Sequence, residues 1–402
     1  MTTIFHVYAT GILGIITLGI WLHLFFGRGW FWNVKKVDAD GEKVPAMDDW
    51  PGVIAVIAAR NEAETIGHVV TNLIQQDYLG KCSVVIVDDH SEDETASIAK
   101  KVAIESGAEA RVRVIHASNL PDGWTGKMWA LNEGVASTQV SGVQTEAPGF
   151  LWFTDADVAH APDTLRRLVA WAQRDKLDLG SLMVLLRANN FPERALIPAF
   201  LYFFLMLYPP RWIADEELGT AGAAGGCILL KREALERIGG LAAIRREVID
   251  DCALARAVKS MGGRVSMRLT RKSTSLRPYG TFAEIRDLIA RTAFTQLRYS
   301  SLQLAGTLVG MFLTYIAPVA LLFAHDSSAK ILGLIACFLM FVSFLPTVRF
   351  YRLTPFWAPL LPLVAAFYSY ATWLSALRYW RGHGGQWKGR AQAPEKPQRS
   401  VY

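Results

Sequence analysis

The chain has 402 residues, of which 51% are apolar, and a mean hydropathy of +0.22, too high for a wholly soluble protein. The net charge of +6 raises nucleic acid as a partner, but the positive charge concentrates beside apolar runs, where anionic lipid headgroups account for it, so no nucleic acid is expected. The four cysteines, Cys82, Cys227, Cys252 and Cys337, are scattered with no C-x-x-C spacing, which suggests neither a zinc site nor a disulfide framework and suits a reducing cytosol.

The first run, Ile4 to Phe26, holds no Asp, Glu, Lys or Arg across 23 residues. That is about 35 Å of helix against a hydrocarbon core of roughly 30 Å. It has neither a basic start nor a small-residue cleavage site, so it reads as an uncleaved anchor. Arg28, Lys35 and Lys36 set its C-terminal end in the cytoplasm and the N-terminus outside. After a polar linker, Val37 to Pro51, Val53 to Ala59 forms a short apolar run followed by Arg60-Asn61-Glu62 and a helical pattern through Asn72. A second run, Ser83 to Val87, ends in Asp88-Asp89 and leads to a helix over Glu92 to Ser106 and a third run, Arg111 to Ile115. Strands separated by helices in this way predict an α/β domain with a parallel sheet. The loop Leu120 to Lys127 precedes a helix through Glu133, so Lys127 and nearby backbone amides can meet a phosphate, and Ser137 to Gly149 reads as an exposed loop.

Phe150 to Thr154 is a further apolar run, and it ends in Asp155-Ala156-Asp157. Two carboxylates one residue apart at a strand end aim at one spot, where they repel unless a divalent cation sits between them. The triplet therefore points to metal and diphosphate chemistry; the other reading is a turn or helix cap. Ligands of such sheets bind at the carboxyl ends of strands, where Arg60, Asp88, Asp89, Asp155 and Asp157 gather.

The aromatic segment Pro198 to Trp212 is short for a span and is either interfacial or a buried core helix. Ala221 to Leu230 carries Gly225 and Gly226, which let a backbone approach closely before a strand. Asp250-Asp251 opens a helix to Met261, with N-capping as the plain alternative to chemistry. Three more apolar runs follow, Leu302 to Ala324, Ile331 to Val348 and Phe356 to Leu377. Four crossings from an external N-terminus would leave outside a tail carrying Arg378, Arg381, Lys388, Arg390, Lys396 and Arg399 against Glu395, contrary to the positive-inside rule. Phe356 to Leu377, interrupted by Pro359 and Pro362, is therefore expected to be re-entrant or interfacial. The expected organisation is an anchor over 1–27, an α/β domain over 50–300 containing the 198–212 segment, membrane helices over 301–379 and a basic tail over 380–402.

Ala-Ala-Arg-Asn-Glu, Val-Asp-Asp-His-Ser-Glu-Asp-Glu-Thr, Asp-Ala-Asp, the Gly-Gly strand and Asp-Asp-Cys-Ala-Leu occur in an order that resembles the family 2 glycosyltransferases. The resemblance implies a GT-A fold, α/β and Rossmann-like with a mixed, mostly parallel sheet, and inverting transfer from a nucleotide-diphosphate sugar. The flanking anchors and Pro-Asp-Gly-Trp-Thr-Gly-Lys are similar to the hopene-associated membrane glycosyltransferases of bacteria and, more distantly, to ceramide glucosyltransferases. That similarity implies a hydroxylated lipid acceptor, hopanoid-like or other, and a multi-pass protein of the bacterial inner membrane with its catalytic domain in the cytoplasm.

By the same resemblance, Arg60, Glu62, Asp88, Asp89, Lys127, Asp155 and Arg298 would bind the nucleotide-sugar, and Asp155 and Asp157 would hold Mg2+ or Mn2+. Gly225 and Gly226 would face the acceptor. Asp251 would be the base, although Asp250 stands where the family often has Glu, which leaves open which of the two acts. In Thr295-Gln296-Leu297-Arg298-Tyr299 the first residue departs from the Gln of processive relatives, which weakens the case for a polymer synthase, and Arg298 is open between diphosphate or acceptor contact and a headgroup-facing role. Trp387-Lys388-Gly389-Arg390 either folds over the donor or binds the membrane. The alternatives are a polyprenyl-phosphate or polysaccharide glycosyltransferase and, from another class, a non-catalytic membrane protein that binds lipid or nucleotide. A receiver domain is disfavoured because a full strand-helix unit precedes Asp88, and a nucleotidyltransferase leaves Asp251 and the anchors unexplained.

Overall fold

A strand covered by helices on both faces is apolar at every position, and each residue of Val53–Ala59 is buried. The computed structural model describes residues 2–42, 44, 47–140, 149–382, 386–387 and 390–391. Its chain divides into an α/β unit, built mainly from Asp38–Arg187 and Trp212–Pro278, and a helical unit of Met1–Val37, Ala188–Arg211 and Tyr279–Gly384.

In chain order, α1 (Thr2–Leu22) belongs to the helical unit. The α/β unit follows with β1 (Val53–Ala59), α2 (Ile66–Ile74), β2 (Cys82–Asp88), α3 (Thr95–Glu105), β3 (Val112–His116), α4 (Gly126–Val140), β4 (Phe150–Thr154), β5 (Val158–His160), α5 (Thr164–Arg174) and β6 (Leu179–Leu185). Then come α6 (Phe191–Leu207) and α7 (Pro210–Ala214), followed by β7 (Cys227–Lys231), α8 (Arg232–Arg237), α9 (Asp250–Ser260) and β8 (Val265–Ser275). The helical unit is completed by α10 (Phe282–Gln296), α11 (Ser301–Met311), α12 (Ala317–Leu321), α13 (Ser327–Phe350) and α14 (Leu361–Trp380). In the tail, β9 (Gln386–Trp387) pairs antiparallel with β10 (Arg390–Ala391), while Lys388 and Gly389 lie outside the described residues.

The sheet order is β3-β2-β1-β4-β7-β6-β8-β5. The first four strands are parallel, with β2 on one side of β1 and β4 on the other, so the order reverses at β1 and a crevice opens at the carboxyl ends of β1 and β4. In the second half β7 is antiparallel to both β4 and β6, which makes the sheet mixed and mostly parallel, as the resemblance implies. That inversion sets Cys227 opposite Thr154, so the Gly225-Gly226 turn that enters β7 meets the same edge as the aspartates that leave β4. The core beneath is close-packed: Trp152 is fully buried, with its indole N–H 3.3 Å from Cys227 Sγ.

Two features depart from the sequence expectation, and a third follows the buried-helix reading of the aromatic segment. Ser137–Val140 are the last turn of α4 rather than a loop, and 141–148 lie outside the described residues. Asp38–Glu42 are docked rather than a free linker, since Ala39 N donates to Leu269 O at 2.9 Å and Asp40 accepts from Thr270 Oγ1 and Arg271 N at 2.6 and 2.9 Å. The aromatic segment belongs to a longer helix. Asn190 and Glu193 form a reciprocal capping box that starts α6 at Phe191, and the buried Glu193 carboxylate also accepts Tyr279 N at 2.8 Å. Tyr202 and Phe203 face into the helical unit, against rings of Phe31, Tyr315, Phe344 and Tyr368, and do not form an interfacial surface.

Among the described residues, five stretches are long and apolar enough to cross a membrane: Tyr8–Gly27, Phe191–Ala214, Ser301–Leu321, Ser327–Phe350 and Pro355–Trp380. The second does not carry the chain across, because β6 and β7, which flank it, are hydrogen-bonded neighbours in one sheet. The last is not broken by its prolines. Pro359 lies in a 3-10 turn and Pro362 in the first turn of α14, where a missing N–H costs nothing.

Gly134 on α4 has no room for a side chain, since a Cβ there would stand 2.5 Å from Val56 Cγ1 and 2.9 Å from Val87 Cγ2. Gly134→Val is expected to cost about 1–3 kcal/mol by overpacking α4 on β1 and β2. The check is a lowered midpoint of thermal unfolding in detergent or nanodiscs; an unchanged midpoint would mean that the helix rides outward freely.

Candidate active site

The edge of the sheet where β1, β2 and β4 end collects the residues singled out from the sequence. Arg60 directly follows β1 and is buried, its Nη1 donating to the carbonyl oxygens of Asp89 and His90 at 2.6 and 3.1 Å, so it braces the turn after β2. Asp88 and Asp89 are buried at that turn. His116, at the end of β3, approaches Asp88 Oδ2 with Nδ1 at 3.1 Å, while Asp88 Oδ1 is buried without a hydrogen-bond partner. Glu62 reaches the opposite way, accepting from Arg277 Nη2 at 2.9 Å.

The two aspartates after β4 meet separate cations. Asp155 Oδ1 lies 3.0 Å from Lys127 Nζ, and Asp157 Oδ2 lies 3.1 Å from Arg277 Nε. Lys127 stands in the first turn of α4 and also reaches Asp250 Oδ2 at 3.2 Å. One ammonium group therefore ties the end of β4 to the start of α9. Burial acts to lower its pKa, but Asp155 and Asp250 outweigh burial and raise it, so Lys127 stays charged.

Ile249, not an aspartate, is the N-cap of α9, and it makes no side-chain cap bond. Asp250 and Asp251 lie within the first helical turn, where the helix dipole favours negative charge. Asp251 is held by two backbone amides: Gly225 N donates to its Oδ2 at 2.9 Å and Cys252 N to its Oδ1 at 2.7 Å. Burial first, and Asp250 second, push its pKa up to about 6, against the lowering pull of Lys127 and those amides. Asp157 is likewise pushed up to about 6 by burial and by Asp155, with Arg277 opposing. Gly226 packs where a Cβ would come within 3.0 Å of Val184, which accounts for glycine there.

Arg298 lies elsewhere in the chain, exposed in the turn between α10 and α11 of the helical unit, and both it and Tyr299 have left-handed backbone at φ 51° and 56°. Tyr299 stacks on Tyr379, with ring centroids 4.4 Å apart. Sequence reasoning missed Arg277 and His116. Arg277 is the second residue after β8, a strand whose mixed polar pattern hid it, and His116 was one residue beyond the expected end of β3.

Among the described residues no group of three or more His, Cys, Asp or Glu side chains forms a complete metal cage. The pair Asp155 and Asp157 does fit a hard divalent cation of the kind bound through one or two carboxylates plus phosphate oxygens and water. Asp155 raises the proton affinity of Asp157, a repulsion that a cation between the two relieves.

A twisted sheet with an aspartate pair beyond one strand, and an antiparallel neighbour presenting a glycine turn to a second pair, defines a GT-A domain. A mannosyltransferase from Pyrobaculum calidifontis, solved in complex with GDP-Man and Mn2+, has the same fold, with a TM-score of 0.54 at 20% identity over 91% of this chain and 99% of that one. The family described as glycosyltransferase like family 2 matches residues 51–295, and the chain belongs to that family. Among curated relatives it is similar to a beta-monoglucosyldiacylglycerol synthase of Synechocystis, 34% identical over 40% of this chain and 35% of the relative. It is also similar to an N-acetylglucosaminyltransferase of Mesorhizobium japonicum, 26% identical over 50% of this chain and 44% of the relative. The matches thus span under half the length of these two relatives.

Replacing Lys127 by Met leaves Asp155, Asp250 and Asp251 without their shared cation. For a half-buried ion pair the expected loss is about 1–3 kcal/mol, between the surface and buried limits. Lys127 opposes the burial and the like charge that raise the Asp251 pKa, so without it Asp251 binds a proton more readily in the folded state and the loss shrinks as pH falls through the carboxylate range. Thermal unfolding of Lys127→Met against the native chain should show a wider gap at about pH 8 than at about pH 5, and an equal gap would mean that Lys127 does not neutralise this cluster.

Proposed function

We propose that the protein is a membrane-associated, inverting glycosyltransferase that moves a sugar from a nucleotide-diphosphate donor to the hydroxyl of a lipid. The observation that carries this reading is the reach of Lys127 to both Asp155 and Asp250, which sets a donor-side and an acceptor-side carboxylate no farther apart than two ion-pair lengths. Asp251, its two oxygens oriented by Gly225 N and Cys252 N, takes the proton of the acceptor hydroxyl as that oxygen attacks the anomeric carbon. The bond to the diphosphate breaks on the opposite face, so one displacement inverts the centre and no sugar-enzyme bond forms. Asp88 or Asp89 binds the base and ribose, and Lys127 faces the diphosphate. Asp155 and Asp157 would hold Mg2+ or Mn2+, which when bound neutralises charge on the departing diphosphate.

A lipid acceptor is supported by the apolar helices and by the glycolipid-synthase names of several relatives. The hopanoid assignment rests on the similarity of the Pro-Asp-Gly-Trp-Thr-Gly-Lys loop and the anchors. Arg28, Lys35 and Lys36 after α1 support a cytoplasmic α/β unit at a bacterial inner membrane.

Transfer from radiolabelled nucleotide-sugars into extracted bacterial lipid, by the full chain in nanodiscs with Mn2+, tests the reading. Asp251→Asn is expected to lower kcat by about 100- to 10,000-fold while the protein stays folded. Because the working base is the ionised form and its pKa is raised to about 6, kcat/KM should fall below about pH 6 and level off above it. Native activity in Asp251→Asn, or label entering only water as free sugar, would sink the proposal.

A further inference from the structure

Directly behind the paired aspartates lies a chain of hydrogen bonds that the transfer step does not use. His160 on β5 is 3% exposed, with Nδ1 2.8 Å from Ser273 Oγ on β8 and Nε2 2.8 Å from Oγ1 of Thr154, the last residue of β4. Thr154 Oγ1 donates in turn to the carbonyl oxygen of Gly226 at 3.0 Å. The sheet register builds this line, since His160 pairs with Ser273 and Thr154 with Cys227, the residue after Gly226.

Counting protons gives the line a direction. A carbonyl oxygen can only accept, so the one hydroxyl hydrogen of Thr154 goes to Gly226. Thr154 must then accept from His160, whose ring proton therefore sits on Nε2. Burial keeps the ring neutral, pushing its pKa down to about 3 in spite of Asp155 nearby. Nδ1 thus keeps its lone pair and accepts from the Ser273 hydroxyl. The other tautomer would set the Nε2 lone pair against a threonine oxygen with no hydrogen left to give.

We infer that Thr154 and His160 are positioning residues for sugar transfer, which hold the end of β4 against the Gly225-Gly226 turn and so set the spacing between Asp155 and Asp251. Thr154 precedes Asp155 in the chain, and the amide of Gly225, next to Gly226, is the one that orients Asp251. Both carboxylate pairs are therefore referred to a single contact, Thr154 to Gly226, and His160 orients the threonine that makes it. A buried histidine kept only to fill the core against Trp152, whose ring centroid lies 4.7 Å away, would not require this tautomer or this spacing. The inference rests on the proposed function for the roles of Asp155 and Asp251.

The test uses the full chain in lipid nanodiscs with 15N-labelled histidine, the His160 signal being assigned by its loss in His160→Gln. A neutral ring protonated on Nε2 is expected throughout about pH 5 to pH 8, and an Nδ1–H tautomer or a charged ring in that window overturns the inference. Thr154→Val and Thr154→Ser supply the second arm, should His160→Gln fail to fold. Thr154→Val is expected to lower kcat by about 10- to 100-fold, the scale of a 1 Å misplacement, with Thr154→Ser restoring most of it. Calorimetric affinity for Mn2+ with UDP or GDP, whichever the native chain binds, should change less than about threefold. Unchanged kcat in Thr154→Val, nucleotide affinity falling in step with kcat, or no rescue by serine each overturns the positioning role. A native chain that transfers no sugar from any donor would instead remove the proposed function, with the tautomer measurement still deciding whether the hydrogen-bond line exists.

Discussion

Four carboxylates, Asp155, Asp157, Asp250 and Asp251, crowd one edge of the sheet, and their mutual repulsion is the constraint around which the α/β unit is arranged. Each counter-charge comes from a different part of the chain. Lys127 at the start of α4 answers Asp155 and Asp250, Arg277 beyond β8 answers Asp157, and the amides of Gly225 and Cys252 answer Asp251. Neutralisation remains partial, since Asp157 and Asp251 both keep an affinity for protons well above that of a free carboxylate. A site left short of positive charge is suited to draw in a cation and to accept a proton.

The sheet divides the labour along its width. The parallel strands β3, β2, β1 and β4 end in a crevice bearing Asp88 and Asp89, while the antiparallel strand β7 contributes the glycine turn that faces the other aspartate pair. Because β7 runs against β4, the carboxyl end of one meets the amino end of the other, and a turn rather than a helix lies between the two pairs. The Gly225 amide in that turn orients Asp251 while lowering its proton affinity, and burial and Asp250 outweigh that pull and the pull of Lys127.

What could be read in advance follows from how local each signal is. Asp155, Asp157, Asp250, Asp251 and Lys127 all stand at boundaries between elements, where a change of hydrophobic period marks the spot. Arg277 and His160 gave no such mark, because their partners are brought in by the fold from more than a hundred residues away for Ser273 with His160, through the β5–β8 pairing, and from more than two hundred for Arg277 with Glu62. β8 was hidden by Arg268, Arg271 and Lys272, charges that ordinarily argue against a buried strand and here meet Asp38, Asp40, Glu42 and Asp163. The start of α6 was legible and passed over: Asn190-Phe-Pro-Glu193 is a capping-box signature, and it moves the helix seven residues earlier than the aromatic run alone suggests.

The helical unit takes α6 from the middle of the chain and covers it with segments from both ends. Its rings at 202 and 203 are covered by Phe31 from the N-terminal segment and by Tyr315, Phe344 and Tyr368 from the C-terminal one. Cutting away both ends of the chain would leave this apolar helix stranded between β6 and β7 with its aromatic face stripped bare, a surface of the kind that drives aggregation. Trimming both termini is therefore expected to expose this face rather than to yield a soluble α/β fragment.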